Sequence, residues 1–236
     1  MEMESNKEGA VRIQTSILNA SEKRLLVWLA KRQPGWMTSD ILTYIGTFGA
    51  AVIAVGYILS ARNIGFLWLS SLGFVINWYG DSLDGTLARV RNTQRPIYGY
   101  YIDHTMDAID EFMIFVGVGL SGLMHLEIAL LAFVMYLMIT INVCINAHLK
   151  KEFKLTYARM GPTELRIIMI LVNTMLVCIP FLRNLSHTYD IFGHEIAFVV
   201  LDYVGVAIVV ILAIIHLATV YHDIRGYAQI DPLPKN

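Results

Sequence analysis

Six apolar stretches, each close to the length that crosses a bilayer, constrain this chain more than any other feature. They fall at roughly 40–60, 64–82, 100–122, 126–148, 163–182 and 194–221. A helical span takes about 20 apolar residues. In hydrocarbon the backbone must satisfy its own polar groups, which leaves helices or a closed barrel. The expected fold is therefore all-α and integral to the membrane, with six transmembrane helices. Composition agrees: 56% of residues are hydrophobic and 16% charged, against about 25% charged in soluble domains. The first 36 residues are polar and charged and lack the apolar core of a cleavable signal peptide. A single membrane domain over 37–224 is expected, between an N-terminal segment (1–36) and a short tail (225–236).

Basic residues set the orientation. With six spans, one side holds Lys7, Arg12, Lys23, Arg24, Lys31, Arg32, Arg89, Arg91, Arg95, Lys150, Lys151, Lys154, Arg159, Arg166, Arg225 and Lys235. The other side holds only Arg62 and Arg183. Positive charge stays in the cytoplasm, so both termini are expected there. The net charge of −1 conceals this polarity, and no nucleic-acid partner is expected. Cys144 and Cys178 fall at opposite depths, too far apart for disulfide geometry, and read as free thiols.

From Thr15 to Arg32 the pattern becomes amphipathic. Leu18, Leu25 and Leu29 share a face with Trp28 beside them, while Lys23, Arg24, Lys31 and Arg32 suit lipid headgroups. An interfacial helix is expected here, ahead of a soluble helix packed on the cytoplasmic loops. Pro34 and Gly35 break it, and Thr38, Ser39 or Asp40 can cap the next helix.

The chemistry concentrates where the second and third spans meet the cytoplasm. Asp81, Asp84, Asp103 and Asp107 are spaced three and four apart in two pairs. Each pair shares one helix face. Clustered carboxylates at a membrane need neutralising cations, and carboxylate oxygen suits Mg²⁺ or Mn²⁺. Two divalent ions would match the four charges. Gly85 and Gly99 clear space for a ligand, Ala88 keeps the turn above thin, and Arg89 offers a forked donor for phosphate oxygens. Asp110 and Glu111 continue the face in a supporting role or at a dimer contact. His104, between two of the aspartates, turns elsewhere and reads as a packing residue.

The full pattern, D-x2-D-G-x2-A-R-x9-G-x3-D-x3-D from Asp81 to Asp107, resembles the signature of the CDP-alcohol phosphotransferase family. Eight fixed positions at about one in twenty each make a chance match at one start point of order 10⁻¹⁰. Small bacterial members are similar in two further runs, Asn77–Arg89 (N-W-x-G-D-S-L-D-G-T-L-A-R) and Gly161–Arg166 (G-P-T-E-L-R). The resemblance implies an enzyme of the bacterial inner membrane that moves a substituted phosphoryl group from a CDP-alcohol to a hydroxyl acceptor and releases CMP. It implies Asp81, Asp84, Asp103 and Asp107 as ligands of two Mg²⁺ or Mn²⁺ ions, with Asp107 also as general base. It implies Gly85, Ala88, Arg89 and Gly99 around the CDP moiety, and a homodimer.

CDP-diacylglycerol is the expected donor, ahead of CDP-choline or CDP-ethanolamine. The acceptor stays open among glycerol 3-phosphate, inositol phosphate, inositol and serine. Lys150, Lys154, Arg159, Arg166 and Arg225 could hold an acceptor phosphate, yet the positive-inside rule alone would put such charges there. Pro162 and Glu164 suit a helix start, so capping also accounts for the second run. A divalent-cation transporter is the rival from another class. It would need acids continuing through the membrane, whereas these cluster at one end. A scaffold without activity is a third reading.

Overall fold

The structure is a computed structural model describing the backbone of residues 11–13, 19–150, 152–154, 161–191 and 193–233. Side chains are described over 21–149, 161–190 and 193–233. Residues 15–18, Lys151 and Arg159 lie outside the described residues, as do the side chains of Lys150 and Lys154.

Eight helices appear among the described residues: α1 (Asn19–Ala30), α2 (Ser39–Ser60), α3 (Leu67–Arg91), α4 (Pro96–Gly119), α5 (Leu126–Lys150), α6 (Pro162–Cys178), α7 (Pro180–Asn184) and α8 (Val200–Ile230). Two short strands, β1 (Val11–Ile13) and β2 (Glu152–Lys154), pair in parallel. A hairpin of β3 (Ser186–Ile191) and β4 (His194–Val199) precedes α8. Of the six expected spans, α2, α5 and α8 are long and apolar enough to cross a membrane. The 25-residue α3 and 24-residue α4 have the length but carry the charges of the acidic motif. At 17 residues, α6 falls short of the about 20 that a full span takes.

Two expected boundaries change. The last span was expected from 194, but residues 194–199 are a strand paired to 186–191. The fifth was expected to reach 182, but α6 stops at Cys178 because Pro180 cannot continue it. Asp202 caps the start of α8. It is fully buried and accepts from the backbone nitrogens of Val199 at 2.8 Å and His125 at 2.7 Å, with His125 Nδ1 at 2.8 Å. Both cysteines are free.

The pair α2–α3 forms the spine. Thr38 caps α2 by accepting from the Ile41 nitrogen at 3.2 Å. Glycines then line the α2–α3 seam. A Cβ on Gly73 would lie 2.7 Å from the Ile53 nitrogen, and one on Gly56 2.5 Å from the Ser70 nitrogen. On Gly49 and Gly80 it would overlap the backbone of Asn77 and Gly46. Such backbone-to-backbone approach, with small residues at the contact, gives membrane helices their van der Waals contact where no hydrophobic force drives them together. Ser70 Oγ adds a hydrogen bond to the Ile53 carbonyl at 3.0 Å.

Away from the motif, a core of Ile53, Tyr57, Leu67, Phe74, Val118, Leu176 and Leu201 joins α2, α3, α4, α6 and α8. Buried within it, Tyr57 donates to Asn173 Oδ1 at 2.9 Å. Beside the motif, Leu26, Ala30, Met37, Leu42, Leu83 and Leu87 tie α1 to α2 and α3. The face of α1 that packs on α2 and α3 is thus Leu26 and Ala30. Leu25 and Trp28 are exposed and Leu29 is partly buried.

Candidate metal and phosphate site

Both halves of the acidic motif sit on helices because of how the nine-residue gap folds. The first half ends α3, where Asn92 takes a left-handed conformation (φ 54°) and the Thr93 nitrogen returns to the Ala88 carbonyl at 2.9 Å. Pro96 then opens α4 in the position that tolerates a missing N–H. The turn brings the end of α3 against the start of α4.

One carboxylate oxygen from each of Asp81, Asp103 and Asp107 lies within 4.8 Å of the others. At that separation two unit charges repel by about 3–4 kcal/mol at an effective dielectric near 20. Arg166 answers part of this. Its Nη2 donates to Asp81 Oδ2 at 2.6 Å and its Nε to Asn77 Oδ1 at 2.9 Å. Three carboxylates against one guanidinium leave a balance of two negative charges, which one divalent cation would cancel. Three hard oxygen donors converging in a partly buried, net-negative corner fit Mg²⁺ or Mn²⁺ by donor chemistry.

Asp84 has partners of its own. It is buried on α3, where Thr43 Oγ1 donates to its Oδ2 at 2.7 Å and the Gly85 nitrogen to its Oδ1. Its carbonyl accepts from Ser39 Oγ at 2.9 Å. Gly85 leaves room for Arg89, whose Nη1 would stand 3.4 Å from a Cβ there. Arg89 Nη2 donates to Thr86 Oγ1 at 3.0 Å. Around Gly99 a Cβ would meet nothing within 4 Å, so the start of α4 borders open space. Ala88 is buried. His104 Nδ1 lies 2.9 Å from the Tyr100 carbonyl, its ring stacked on Tyr100 at 4.1 Å.

Among the candidate acceptor residues, the structure brings Arg166 to the carboxylates. Arg225 is exposed, with its guanidinium over Tyr221 at 4.5 Å. The second sequence run caps α6 as expected, Gly161 N donating to Glu164 Oε2 at 3.0 Å. It also does more, because Arg166 one turn on reaches the aspartates.

Sequence reasoning gave Asn77 no role. It lies four residues before Asp81, on the same face of α3. Its Nδ2 donates to the Gly46 carbonyl and to Asp110 Oδ2, each at 3.0 Å, while its Oδ1 receives Arg166. This buried amide joins α2, α3, α4 and α6. Asp110 thus belongs to the support of the site. Its Oδ1, Thr47 Oγ1, Glu111 Oε2 and Arg166 Nη1 are buried without a hydrogen-bond partner among the described residues.

A bundle of apolar helices with an acidic, arginine-flanked corner defines a membrane protein whose carboxylate cluster could hold a divalent cation. The model of the CDP-alcohol phosphatidyltransferase family matches residues 36–215, and the chain belongs to that family. It is similar to the phosphatidylinositol phosphate synthase of Cutibacterium acnes (strain DSM 16379 / KPA171202), 36% identical over 86 residues. That match covers 36% of this chain and 38% of the relative, well under half of each.

Proposed function

We propose that the protein transfers a phosphatidyl group from a CDP-alcohol, CDP-diacylglycerol before CDP-choline or CDP-ethanolamine, to a hydroxyl acceptor and releases CMP. The observation that carries this reading is the convergence of Asp81, Asp103 and Asp107 beside Arg166. Asp81, Asp103 and Asp107 would hold divalent metal, with Asp84 completing a second ion's ligands by turning from Thr43. Two Mg²⁺ or Mn²⁺ ions there would neutralise a diphosphate and stabilise its entering and leaving oxygens. Gly85, Ala88, Arg89 and Gly99 would border the CDP moiety, with Arg89 donating to its phosphate oxygens.

Asp107 serves as general base in this scheme. Its carboxylate takes the proton from the acceptor hydroxyl as that oxygen bonds to the phosphorus bearing the diacylglycerol. The bond from that phosphorus to the CMP oxygen breaks, and CMP leaves. A cluster at one end of the bundle speaks for surface chemistry over a transport path through the membrane. By family membership we take α2, α3, α4, α5, α6 and α8 to be six spans in the membrane of a bacterial cell, in a homodimer. The termini and site then face the cytoplasm, and α1 lies at the lipid surface.

Similarity to a phosphatidylinositol phosphate synthase points to a phosphorylated polyol as acceptor. Arg166, with a buried Nη1 still able to donate, suits an acceptor phosphate, and Lys150, Lys154, Arg159 and Arg225 would extend the basic surface. Incubating purified protein with CDP-diacylglycerol and Mn²⁺ against inositol 1-phosphate, glycerol 3-phosphate, inositol and serine tests this. Mass spectrometry should find the lipid product of a phosphorylated acceptor. Product formed from inositol or serine alone would remove the phosphate role from Arg166.

A further inference from the structure

Glu22 is an acidic residue that nothing in the reaction uses. It lies on α1, and α1 turns it inward: Glu22, Leu26 and Ala30 follow one another at intervals of four and so share a face. Leu26 and Ala30 are buried against α2 and α3. Glu22 Oε1 accepts two hydrogen bonds from elsewhere in the chain, one from Trp78 Nε1 at 2.8 Å and one from Thr163 Oγ1 at 2.5 Å. A single carboxylate oxygen therefore joins α1, α3 and α6.

The two donors have telling neighbours. Trp78 is three residues before Asp81 on α3 and next to Asn77. Thr163 is three residues before Arg166 on α6. One helical turn from each donor stands a member of the Arg166–Asp81 ion pair, with Nη2 to Oδ2 at 2.6 Å. Further contacts hold α1 and its exit loop to α3. Gln33 Nε2 donates to the Tyr79 hydroxyl at 2.8 Å. Arg91 Nη2 donates to the Gln33 and Pro34 carbonyls, each at 2.9 Å, and its Nη1 to the Met37 carbonyl. On α6, the Thr163 hydroxyl is the donor that meets Glu22.

We infer that Glu22 is a positioning residue: by clamping the start of α6 to α3 it fixes Arg166 against Asp81 at the edge of the carboxylate cluster. It touches neither substrate nor metal. Without it, α6 loses its tie at Thr163, and Arg166 is no longer held one turn away. The consequence for the acceptor rests on the proposed function, in which Arg166 binds the acceptor phosphate. The consequence for cation binding does not, because Arg166 is a positive charge beside an oxygen donor whatever the reaction.

The test compares Glu22→Ala with Glu22→Gln, since glutamine keeps an oxygen that can accept from both donors. In detergent-purified protein without substrates, Mn²⁺ binding is followed by electron paramagnetic resonance. Glu22→Ala should bind Mn²⁺ about tenfold more tightly, because the competing guanidinium beside Asp81 is released. Glu22→Gln should stay near the wild type, and Thr163→Val should shift in the same direction as Glu22→Ala. In turnover, Glu22→Ala should raise the acceptor KM about tenfold, the scale of one charged hydrogen bond. Its kcat and its KM for CDP-diacylglycerol should hold within about twofold.

Unchanged Mn²⁺ affinity in Glu22→Ala would overturn the inference. So would equal losses in Glu22→Ala and Glu22→Gln. If Glu22→Ala does not fold, Thr163→Val decides by the same binding readout. A wild type that releases no CMP while the Mn²⁺ shift persists would sink the proposed reaction and leave the positioning role standing.

Discussion

Asp107→Asn is expected to lower CMP release by about 10²–10⁴-fold, the range that a positioned general base supplies. Asparagine keeps the shape and hydrogen-bonding reach of the side chain but cannot take a proton from an attacking hydroxyl. It also removes one of three converging carboxylates (Asp81, Asp103, Asp107), so divalent affinity should weaken along with turnover. The fold should persist, because removing one of several like charges relieves repulsion. Steady-state CMP release, beside a melting curve in the same detergent, separates the two effects. A variant that keeps its rate within a few-fold would take the base role away from Asp107.

Gly80→Ala is expected to cost about 1–3 kcal/mol of stability, the usual penalty for forcing an extra methyl into a packed contact. A Cβ there would overlap the Gly46 nitrogen and the Leu42 carbonyl. Backbone cannot rotate aside as a side chain does, so α2 and α3 must separate. Asp81 follows Gly80 directly, and Asn77 spans the same seam to the Gly46 carbonyl at 3.0 Å, so activity should fall as well. Gly226→Ala is the control: a Cβ there meets nothing within 4 Å. Replacing glycine inside α8 should then be neutral or stabilise by roughly 0.5–1 kcal/mol. Thermal unfolding of the two variants side by side checks the contrast. Equal melting temperatures would mean that the glycine seam does not hold the spine together.

Much of the site is local in sequence and was legible there. The spacing of Asp103 and Asp107 puts both on one face of α4, while the turn through Asn92 and Pro96 emerged with the structure. The Thr38 cap and the Gly161–Glu164 start of α6 were equally readable. Long-range contacts were not. Glu22 meets Trp78 across 56 residues and Thr163 across 141, and the apolar pattern of α1, which speaks to its lipid-facing side, carries no sign of either. The inward face contains a carboxylate whose partners no local pattern reveals.

Apolar composition also misplaced one border. Residues 194–199 extend an apolar run, but a short run of that kind suits a strand as well as a helix. Pairing with Ser186–Ile191 decided it. Asp84 shows a different limit. Its spacing from Asp81 predicts a shared face, but not that Thr43 on α2 would donate a hydroxyl to its carboxylate. Periodicity gives the face of a residue, and the neighbouring helix gives its partner.

Divalent-dependent CMP release is the property that most directly defines such a metal centre. Purified protein stripped with chelator, then given CDP-diacylglycerol and a phosphorylated polyol, should release CMP only when Mg²⁺ or Mn²⁺ is restored. That release should depend on the acceptor and fall at least about a hundredfold in Asp81→Asn and Asp103→Asn, as in Asp107→Asn. CMP released equally with chelator present, or undiminished in those variants, would contradict the claim that these carboxylates form the metal centre of a phosphatidyl transfer.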